Sequence, residues 1–261
     1  MIKIITDSVA SIPADAARDA GIEVETGVCE AECREINEVF FHYITHKTPF
    51  VVLKYAMTLD GKIAAHTGDS RWVTGEAARR HVHETRNRLS GIMVGVGTVL
   101  ADDPLLTCRI DGGRNPVRIV CDSHARTPLG SQLVQTANEI PTYVAVTARS
   151  ERTAALEEKG VRILVCGETD GHVDLTDLMQ QLGSAGINGI LLEGGSSLAF
   201  SALKAGIVHR VQAYIAPKLI GGADAKSPVG GEGLAKMADA LALKNVRSTP
   251  LGEDFLIEGR L

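Results

Sequence analysis

From residue 50 to the C-terminus, short apolar, β-prone segments alternate with segments whose apolar residues recur at helical spacing. Strands that alternate with helices form parallel sheets covered on both faces, so the pattern predicts a mostly parallel α/β sheet. The predicted strands are residues 50–56, 91–96, 116–121, 142–146, 161–165, 187–192, 208–215 and 254–257. The predicted helices are residues 74–89, with Thr74 as the cap, 152–158, 175–182 and 198–205.

The first 47 residues differ in texture from the rest, and Pro49 marks the boundary. We therefore predict a short N-terminal appendage, residues 1–47, followed by one domain, residues 48–261. The elements predicted in the appendage are a strand at 2–5, a helix opened by Ser11 and ended by Gly21, a strand at 22–24 and a helix at 30–46.

Composition narrows the class of protein. Of 261 residues, 44% are hydrophobic and 23% are charged, which suits a globular domain with a large core. The formal net charge of −5 disfavours nucleic acid or an anionic membrane as the main partner. No apolar run reaches the about 18 residues of a membrane span, and no signal peptide is recognisable, so we expect a cytoplasmic protein. Five scattered cysteines suit reduced thiols and supply no metal-ligand spacing.

The segment 191–199 carries the strongest local signal for a ligand site. Two leucines lead into Glu193, then come Gly194 and Gly195, two serines and an apolar helical run. Glycine lets backbone approach a ligand closely, and the free N–H groups at a helix start attract phosphate. Glu193 would lie at the carboxyl end of a strand, where open α/β sheets place their chemistry.

Two further strands end in polar residues. Thr98 follows the strand 91–96, and Asp122 and Ser123 follow the strand 116–121. Together with Glu193 these side chains are expected to meet at one edge of the sheet and to line a nucleotide cleft. The alternative is that Asp122 and Thr98 merely cap helices.

Four other residues are candidates for chemistry. Lys54 lies inside an apolar strand, where a charge either reaches solvent from an edge or is held for a purpose. Arg86 and Arg109 are candidate phosphate ligands, although a solvated helix arginine is the simpler interpretation of Arg86. Trp72, the only tryptophan, can stack on a cofactor ring or fill a core.

Several familiar active-site motifs are absent from the sequence. It contains no His-x-Glu with Pro-Cys-x-x-Cys, as zinc deaminases have, no Walker A loop, no Gly-x-Ser-x-Gly elbow and no Gly-x-Gly-x-x-Gly after the first strand. His81 and His83 are two apart on a predicted helix and face different directions, so they are not expected to share a metal.

Four motifs in order resemble one known family, the reductase domain of the bacterial bifunctional riboflavin-biosynthesis deaminase/reductase. They occupy residues 54–64 (KYAMTLDGKIA), 68–74 (GDSRWVT), 97–107 (GTVLADDPLLT) and 193–195 (EGG), and residues 214–222 (YIAPKLIGG) fit the same family. The resemblance covers residues 48–261. It implies a dihydrofolate-reductase-like α/β fold, NADPH as the cofactor and a homodimer.

The resemblance also implies a reaction and a site. The ribosyl group of 5-amino-6-(5-phosphoribosylamino)uracil would be reduced to ribityl by hydride transfer to C1′. Lys54 and Glu193 match family residues that contact the opened ribose and are the predicted catalytic residues. The predicted substrate ligands are Ser70, Arg86, Leu106, Arg109 and Glu193. The predicted NADPH ligands are Ala56, Trp72, Thr98, Asp102, Ser123, Gly195, Ser196, Ser197, Leu198, Ala199, Phe200 and Ser201.

The sequence departs from the bifunctional family upstream. Residues 21–41 resemble only the final strand and linking helix of the deaminase domain, and residues 1–20 weakly resemble the start of DegV-type lipid-binding proteins. The zinc ligands of the deaminase are missing, so a separate deaminase is expected to supply the substrate.

Two alternatives remain open at this point. One is a related reductase of another pteridine or pyrimidine; the predicted phosphate ligands argue against an unphosphorylated substrate. The other is a non-catalytic ligand-binding protein; Lys54 and Glu193 argue against it, since a carrier has no need of either.

Overall fold

The computed structural model of the chain describes residues 14–25 and 27–261. The helices are α1 Ala14–Asp19, α2 Glu30–Ile36, α3 Glu38–His46, α4 Glu76–Arg88, α5 Val96–Asp102, α6 Gln132–Gln135, α7 Glu151–Glu158, α8 Leu175–Ser184 and α9 Ser196–Lys204. The strands are β1 Phe50–Thr58, β2 Gly91–Gly95, β3 Val117–Cys121, β4 Thr142–Val146, β5 Arg162–Val165, β6 Glu168–Thr169, β7 His172–Val173, β8 Gly189–Glu193, β9 Arg210–Ala216, β10 Lys244–Leu251 and β11 Asp254–Arg260.

Nine strands form one sheet in the order β10-β11-β9-β1-β8-β2-β3-β4-β5. The seven strands from β9 to β5 in that order pair in parallel, whereas β11 and β10 are antiparallel additions at one edge. The predicted mostly parallel α/β sheet is therefore confirmed. Its central strands β1, β8, β2 and β3 are direct neighbours, which places their carboxyl ends side by side.

Both faces of the sheet are covered. Alternate residues of β1 divide between them: Val51 and Leu53 pack in a core with α8 and α9, while Val52 packs on the opposite face with Leu89 and Val39. Residues of α5, α6 and α7 complete that second face over β2, β3 and β4. Lys54 follows Val52 by two positions, so its side chain lies on the same face, beneath α4.

Several local predictions were wrong or incomplete. Residues 22–24 form no strand, because no neighbouring strand pairs with them, and Ile22 is exposed. The helix predicted at 30–46 is two helices separated at Asn37, whose side chain donates to the Cys33 carbonyl in competition with the helical backbone. The strand predicted at 2–5 and the Ser11 cap lie outside the described residues.

Two further errors concern the start of α4 and the C-terminal strands. Thr74 does not cap α4: Gly75 occupies the N-cap position, and its N–H donates to the Asp254 carboxylate at 2.7 Å. Strand β10 was missed because its sequence is polar, includes Pro250 and has no apolar alternation; it is almost wholly exposed. The strand predicted at 254–257 extends to Arg260 because β9 and β10 both pair with it.

No helix among the described residues is long and apolar enough to cross a membrane.

Candidate active site

Lys54, Arg86 and Glu193 form one cluster at the carboxyl-end region of the sheet. Lys54 of β1 and Glu193 of β8 are register partners, and Lys54 Nζ lies 3.8 Å from Glu193 Oε2. From α4, Arg86 binds the same carboxylate through two parallel bonds, Nε to Oε1 at 2.7 Å and Nη2 to Oε2 at 2.8 Å. The three side chains are 11–17% exposed, so the charges lie mostly out of water but remain reachable.

Burial and charge oppose each other at Glu193. Burial alone would raise the pKa of the Glu193 carboxyl, but Arg86 and Lys54 outweigh burial and hold that pKa at about 2. Burial lowers the pKa of the Lys54 ammonium; Glu193 opposes that change and Arg86 adds to it. An amine whose pKa is lowered by burial therefore lies beside a carboxylate that stays ionised far below neutral pH, and such a pair can exchange a proton with a bound ligand.

The two predicted arginines lie on neighbouring elements but differ in their bonding. Arg86 Nη1 also donates to the Thr107 carbonyl at 2.9 Å, so its guanidinium ties α4 to the loop after α5. Arg109 is exposed on that loop, and its backbone N–H and Nε both contact the ring of His83 at 3.2 Å. Leu106, between them in sequence, is buried. Among residues 14–25 and 27–261, the guanidinium of Arg109 thus keeps donors available for a ligand, whereas most of the donors of Arg86 already bind Glu193 and Thr107.

Sequence reasoning missed His83 and Tyr214. His83 lies one helical turn before Arg86, and burial together with Arg86 and Arg109 lowers its pKa to about 4, so the ring is neutral near pH 7. Tyr214 is fully buried; its ring lies 5.7 Å from Lys54 Nζ, and its hydroxyl bonds to His81 Nδ1 at 2.8 Å. His81 and His83 do face different partners. The spacing of three between His83 and Arg86 was the available signal.

The turn after β8 has the form expected of a phosphate-binding start of a helix. Gly194 and Gly195 have φ values of +82° and +84°, which residues with a Cβ rarely adopt. Helix α9 begins directly after them, and no side chain caps its first turn. A Cβ on Gly194 would lie 3.2 Å from Thr98 Oγ1, so Thr98 of α5 is packed against the same turn.

The side chains of the two residues after β3 each bond to a neighbouring loop or strand. Asp122 is fully buried, and its Oδ2 accepts bonds from the backbone N–H and the hydroxyl of Thr127 at 2.6 and 2.7 Å. Ser123 Oγ accepts from the Val173 N–H at 3.0 Å and so ties β3 to β7. Asp122 therefore closes the loop after β3 rather than lining a cleft, and it does not cap a helix, since the next helix begins only at Gln132.

The remaining predicted residues belong to segments outside the cluster. Ser70 and Trp72 belong to the loop between β1 and α4; Trp72 is exposed, with the Arg79 guanidinium 4.6 Å from its ring, and Lys218 Nζ binds its carbonyl at 3.0 Å. Asp102 is exposed at the end of α5, and Ala56 lies beside Tyr214. The predicted cofactor residues 195–201 are the Gly195 turn and the first two turns of α9.

Comparison with known proteins places these features in a family. A family model described as the RibD C-terminal domain matches residues 49–257. The chain is 51% identical over 251 residues to the riboflavin biosynthesis protein RibD of Actinobacillus pleuropneumoniae, covering 96% of this chain and 67% of that protein. It is 47% identical to a 2,5-diamino-6-ribosylamino-4(3H)-pyrimidinone 5′-phosphate reductase of Methanothermobacter thermautotrophicus, covering 80% of this chain and 97% of that protein.

A solved structure gives the same result. The chain superimposes with a TM-score of 0.77, at 34% identity, on a deaminase/5-amino-6-(5-phosphoribosylamino)uracil reductase of Thermotoga maritima, covering 94% of this chain and 66% of that one. The chain thus spans about two thirds of the Actinobacillus and Thermotoga relatives and nearly the whole of the Methanothermobacter reductase. The dihydrofolate-reductase-like fold is confirmed, and the chain belongs to the RibD C-terminal reductase domain family.

Proposed function

We propose that this chain reduces the ribosyl group of 5-amino-6-(5-phosphoribosylamino)uracil to the ribityl group, with NADPH as the hydride donor, in riboflavin biosynthesis. The observation that carries the proposal is the Lys54–Glu193–Arg86 cluster at the carboxyl-end edge of a reductase-family sheet. A buried ammonium beside an ionised carboxylate suits protonation of an oxygen leaving group and has no use in a simple carrier.

The residues at the start of α9 fit a dinucleotide. The uncapped first turn and the two left-handed glycines offer backbone N–H groups to a pyrophosphate, with Thr98 beside them. We assign cofactor binding to this turn, to residues 195–201 and to Ala56, Trp72, Asp102 and Ser123. When bound, NADPH supplies the hydride that adds to C1′ of the substrate.

Each cluster residue has a proposed role. Lys54 donates a proton to the ring oxygen of the ribose as the C1′–O bond breaks, and the lone pair of the substituent nitrogen forms the C1′=N bond that is then reduced. Glu193 accepts hydrogen bonds from ribose hydroxyls and keeps Lys54 charged. Arg109, Ser70 and Arg86 bind the phosphate, with Leu106 against the base. Since Arg86 is already bidentate with Glu193, its further task is to hold that carboxylate in place.

A second substrate deserves equal testing. The archaeal relative is named for a diamino pyrimidinone, which is the substrate type before deamination, and this chain covers 97% of that protein. A reductase that acts before deamination would share the cluster and the phosphate ligands described above, so the choice between the two depends on the base.

We further propose a cytoplasmic homodimer that acts on a small phosphorylated substrate. Exposed apolar side chains on the segment 217–251 and an exposed edge strand β10 support dimerisation, because a second copy would cover them. The apolar side chains concerned are Leu219, Ile220, Leu234, Met237, Leu241 and Val246. If the deaminated pyrimidine is the substrate, a deaminase must supply it.

The test follows NADPH oxidation by the purified chain with each pyrimidine separately, before and after deamination. Oxidation only with the deaminated compound is the expected result, and oxidation only with the diamino compound would favour the archaeal type of reaction. If the folded protein binds NADPH but oxidises it with neither pyrimidine, the proposal is contradicted. The mass of the particle in solution, by light scattering, tests the dimer.

A further inference from the structure

Four polar side chains lie in one row across four strands of the sheet. Glu193 of β8 and Gln212 of β9 are both register partners of Lys54 on β1, and Glu258 of β11 is the partner of Gln212. Register partners on neighbouring strands direct their side chains to the same face, here the face under α4. The catalytic lysine therefore has a glutamate on one side and a glutamine on the other.

The amide of Gln212 has a fixed orientation. Its Nε2 donates to Glu258 Oε1 at 2.9 Å, so the NH₂ group of the amide faces Glu258. The amide oxygen then faces away from Glu258. Gln212 is 1% exposed, and within residues 14–25 and 27–261 its Oε1 has no hydrogen-bond partner. A buried carbonyl oxygen without a donor costs about 1–3 kcal/mol, which suggests that a donor reaches it in another state of the site.

The neighbouring ammonium has donors to spare. Lys54 Nζ carries three N–H groups, yet its described contacts are the 3.8 Å approach to Glu193 and the ring of Tyr214 at 5.7 Å, both longer than a hydrogen bond. The ionisable groups that face it are Glu193 from β8, Arg86 and His83 from α4 and Tyr214 from β9, with Glu258 of β11 beyond Gln212. A group rich in donors and an acceptor without a donor thus occupy adjacent register positions.

We propose that Gln212 is a positioning residue of the reductase site: its amide oxygen accepts a hydrogen bond from the Lys54 ammonium, and Glu258 holds the amide in the orientation that presents this oxygen. The bond holds the ammonium in its charged form when ribose hydroxyls compete for Glu193. This assignment rests on the proposed role of Lys54 as proton donor. The proposed hydrogen bond between Lys54 and Gln212 does not depend on which pyrimidine is reduced.

The test compares two variants of similar shape at position 212. Gln212→Met removes the acceptor oxygen with little change of volume, and Gln212→Glu retains an acceptor oxygen. Competitive acetylation of Lys54 over a range of pH, read by mass spectrometry with the exposed Lys159 as internal reference, gives the pKa of Lys54 without turnover. We expect Gln212→Met to lower that pKa by about one pH unit, since a hydrogen bond to the charged form is lost. Gln212→Glu should leave it at or above the wild-type value.

Kinetics on the active substrate give the second readout. In Gln212→Met the alkaline limb of the plot of kcat against pH should shift to lower pH by about one unit, as the pKa of Lys54 does. KM should change less than kcat. Gln181→Leu is the matched control, because Gln181 donates to the Val165 carbonyl on the opposite side of the sheet; its kcat profile should equal that of wild type.

Each outcome decides for or against the proposal. A lower pKa of Lys54 in Gln212→Met but not in Gln212→Glu supports it; a lower value in both variants, or in neither, overturns it. If Gln212→Met does not fold, Gln212→Leu replaces it, because leucine also lacks the acceptor oxygen and adds no charge: a pKa of Lys54 below that of wild type would support the proposal, and an unchanged pKa would overturn it. Absence of all reductase activity would refute the proposed function while leaving the titration of Lys54 readable.

Discussion

The guanidinium groups of two largely buried arginines have different roles in two regions of this protein. Arg86, at the open edge, is bidentate with a carboxylate that also faces Lys54. Arg118, on β3, is completely buried and makes six hydrogen bonds, all to neutral oxygens: those of Leu105, Leu133, Thr136 (hydroxyl and carbonyl), Ile140 and Thr142.

The difference lies in the partners rather than in burial. Burial lowers the pKa of Arg118 to about 10, and its carbonyl partners spread the charge while tying loops to the sheet. Arg86 instead fixes an anion beside a proton donor. Both guanidinium groups hold the loop after α5, Arg118 at the Leu105 carbonyl and Arg86 at the Thr107 carbonyl. One arginine therefore stabilises the frame, and the other sets the charge of the site that the frame supports.

The largest effect is expected from Arg118→Leu. It should lower the free energy of unfolding by about 3–5 kcal/mol, because several buried carbonyl oxygens lose their donors at about 1–3 kcal/mol each. Urea titration followed by circular dichroism measures the loss, and Arg118→Lys, which retains one cationic donor, should lose less. A change below 1 kcal/mol would show that Arg118 is not a structural tie.

Lys54→Ala, in contrast to Arg118→Leu, should lower turnover and leave stability unchanged. Turnover should fall about 10²–10³-fold, as for removal of a general acid, while NADPH affinity and stability stay close to those of wild type. Arg86 continues to pair with Glu193 in this variant, so no buried charge is stranded. Steady-state kinetics and NADPH fluorescence titration check the result against Lys159→Ala. Equal losses in turnover and in NADPH affinity would show that Lys54 does not act on the chemical step alone.

Acid should weaken the site in a defined range. The pKa of Glu193 is about 2 in the folded protein against an ordinary 4.5, so the folded state binds fewer protons there than the unfolded state. The stability from this carboxylate is complete above pH 4.5 and is lost as the pH falls towards 2, on the order of 3 kcal/mol in all. Glu193→Gln lacks this contribution, so its unfolding free energy should decline less steeply between pH 4.5 and 2. If the unfolding free energies of wild type and Glu193→Gln fall equally over this pH range, Glu193 is not held ionised by Arg86 and Lys54.

Arg109→Ala is expected to have the smallest effect. Arg109 is exposed, and among the described residues its side chain donates a hydrogen bond only to the His83 ring, so stability should not change. As a phosphate ligand its loss should raise KM about tenfold, the equivalent of about 1.4 kcal/mol, with kcat retained. Arg114→Ala, another exposed arginine on the same loop, is the control; equal KM values for the two variants would remove Arg109 from the phosphate site.

Much of the frame was predictable because its signals are local. Each apolar run of the 48–261 domain that was predicted as a strand is one, and the carboxyl ends of β8, β2 and β3 do converge as expected. Strand β10 was missed because it is polar and exists only because β11 pairs with it. Helix α5 was missed as well, because its first residue, Val96, was taken as the end of the preceding strand. The break at Asn37 depends on a single side-chain bond, which periodicity does not register.

The sequence by itself determined most of the succession of strands and helices along the domain, the glycine turn before α9 and the identity of Lys54 and Glu193 as charged residues in an apolar setting. Only the tertiary structure decided that Arg86 binds Glu193, that Arg118 is a structural tie, and that Gln212 lies beside Lys54. Such pairings join residues far apart in the chain, so they follow from strand order and register, whereas hydrophobic periodicity reports only the neighbours along the chain.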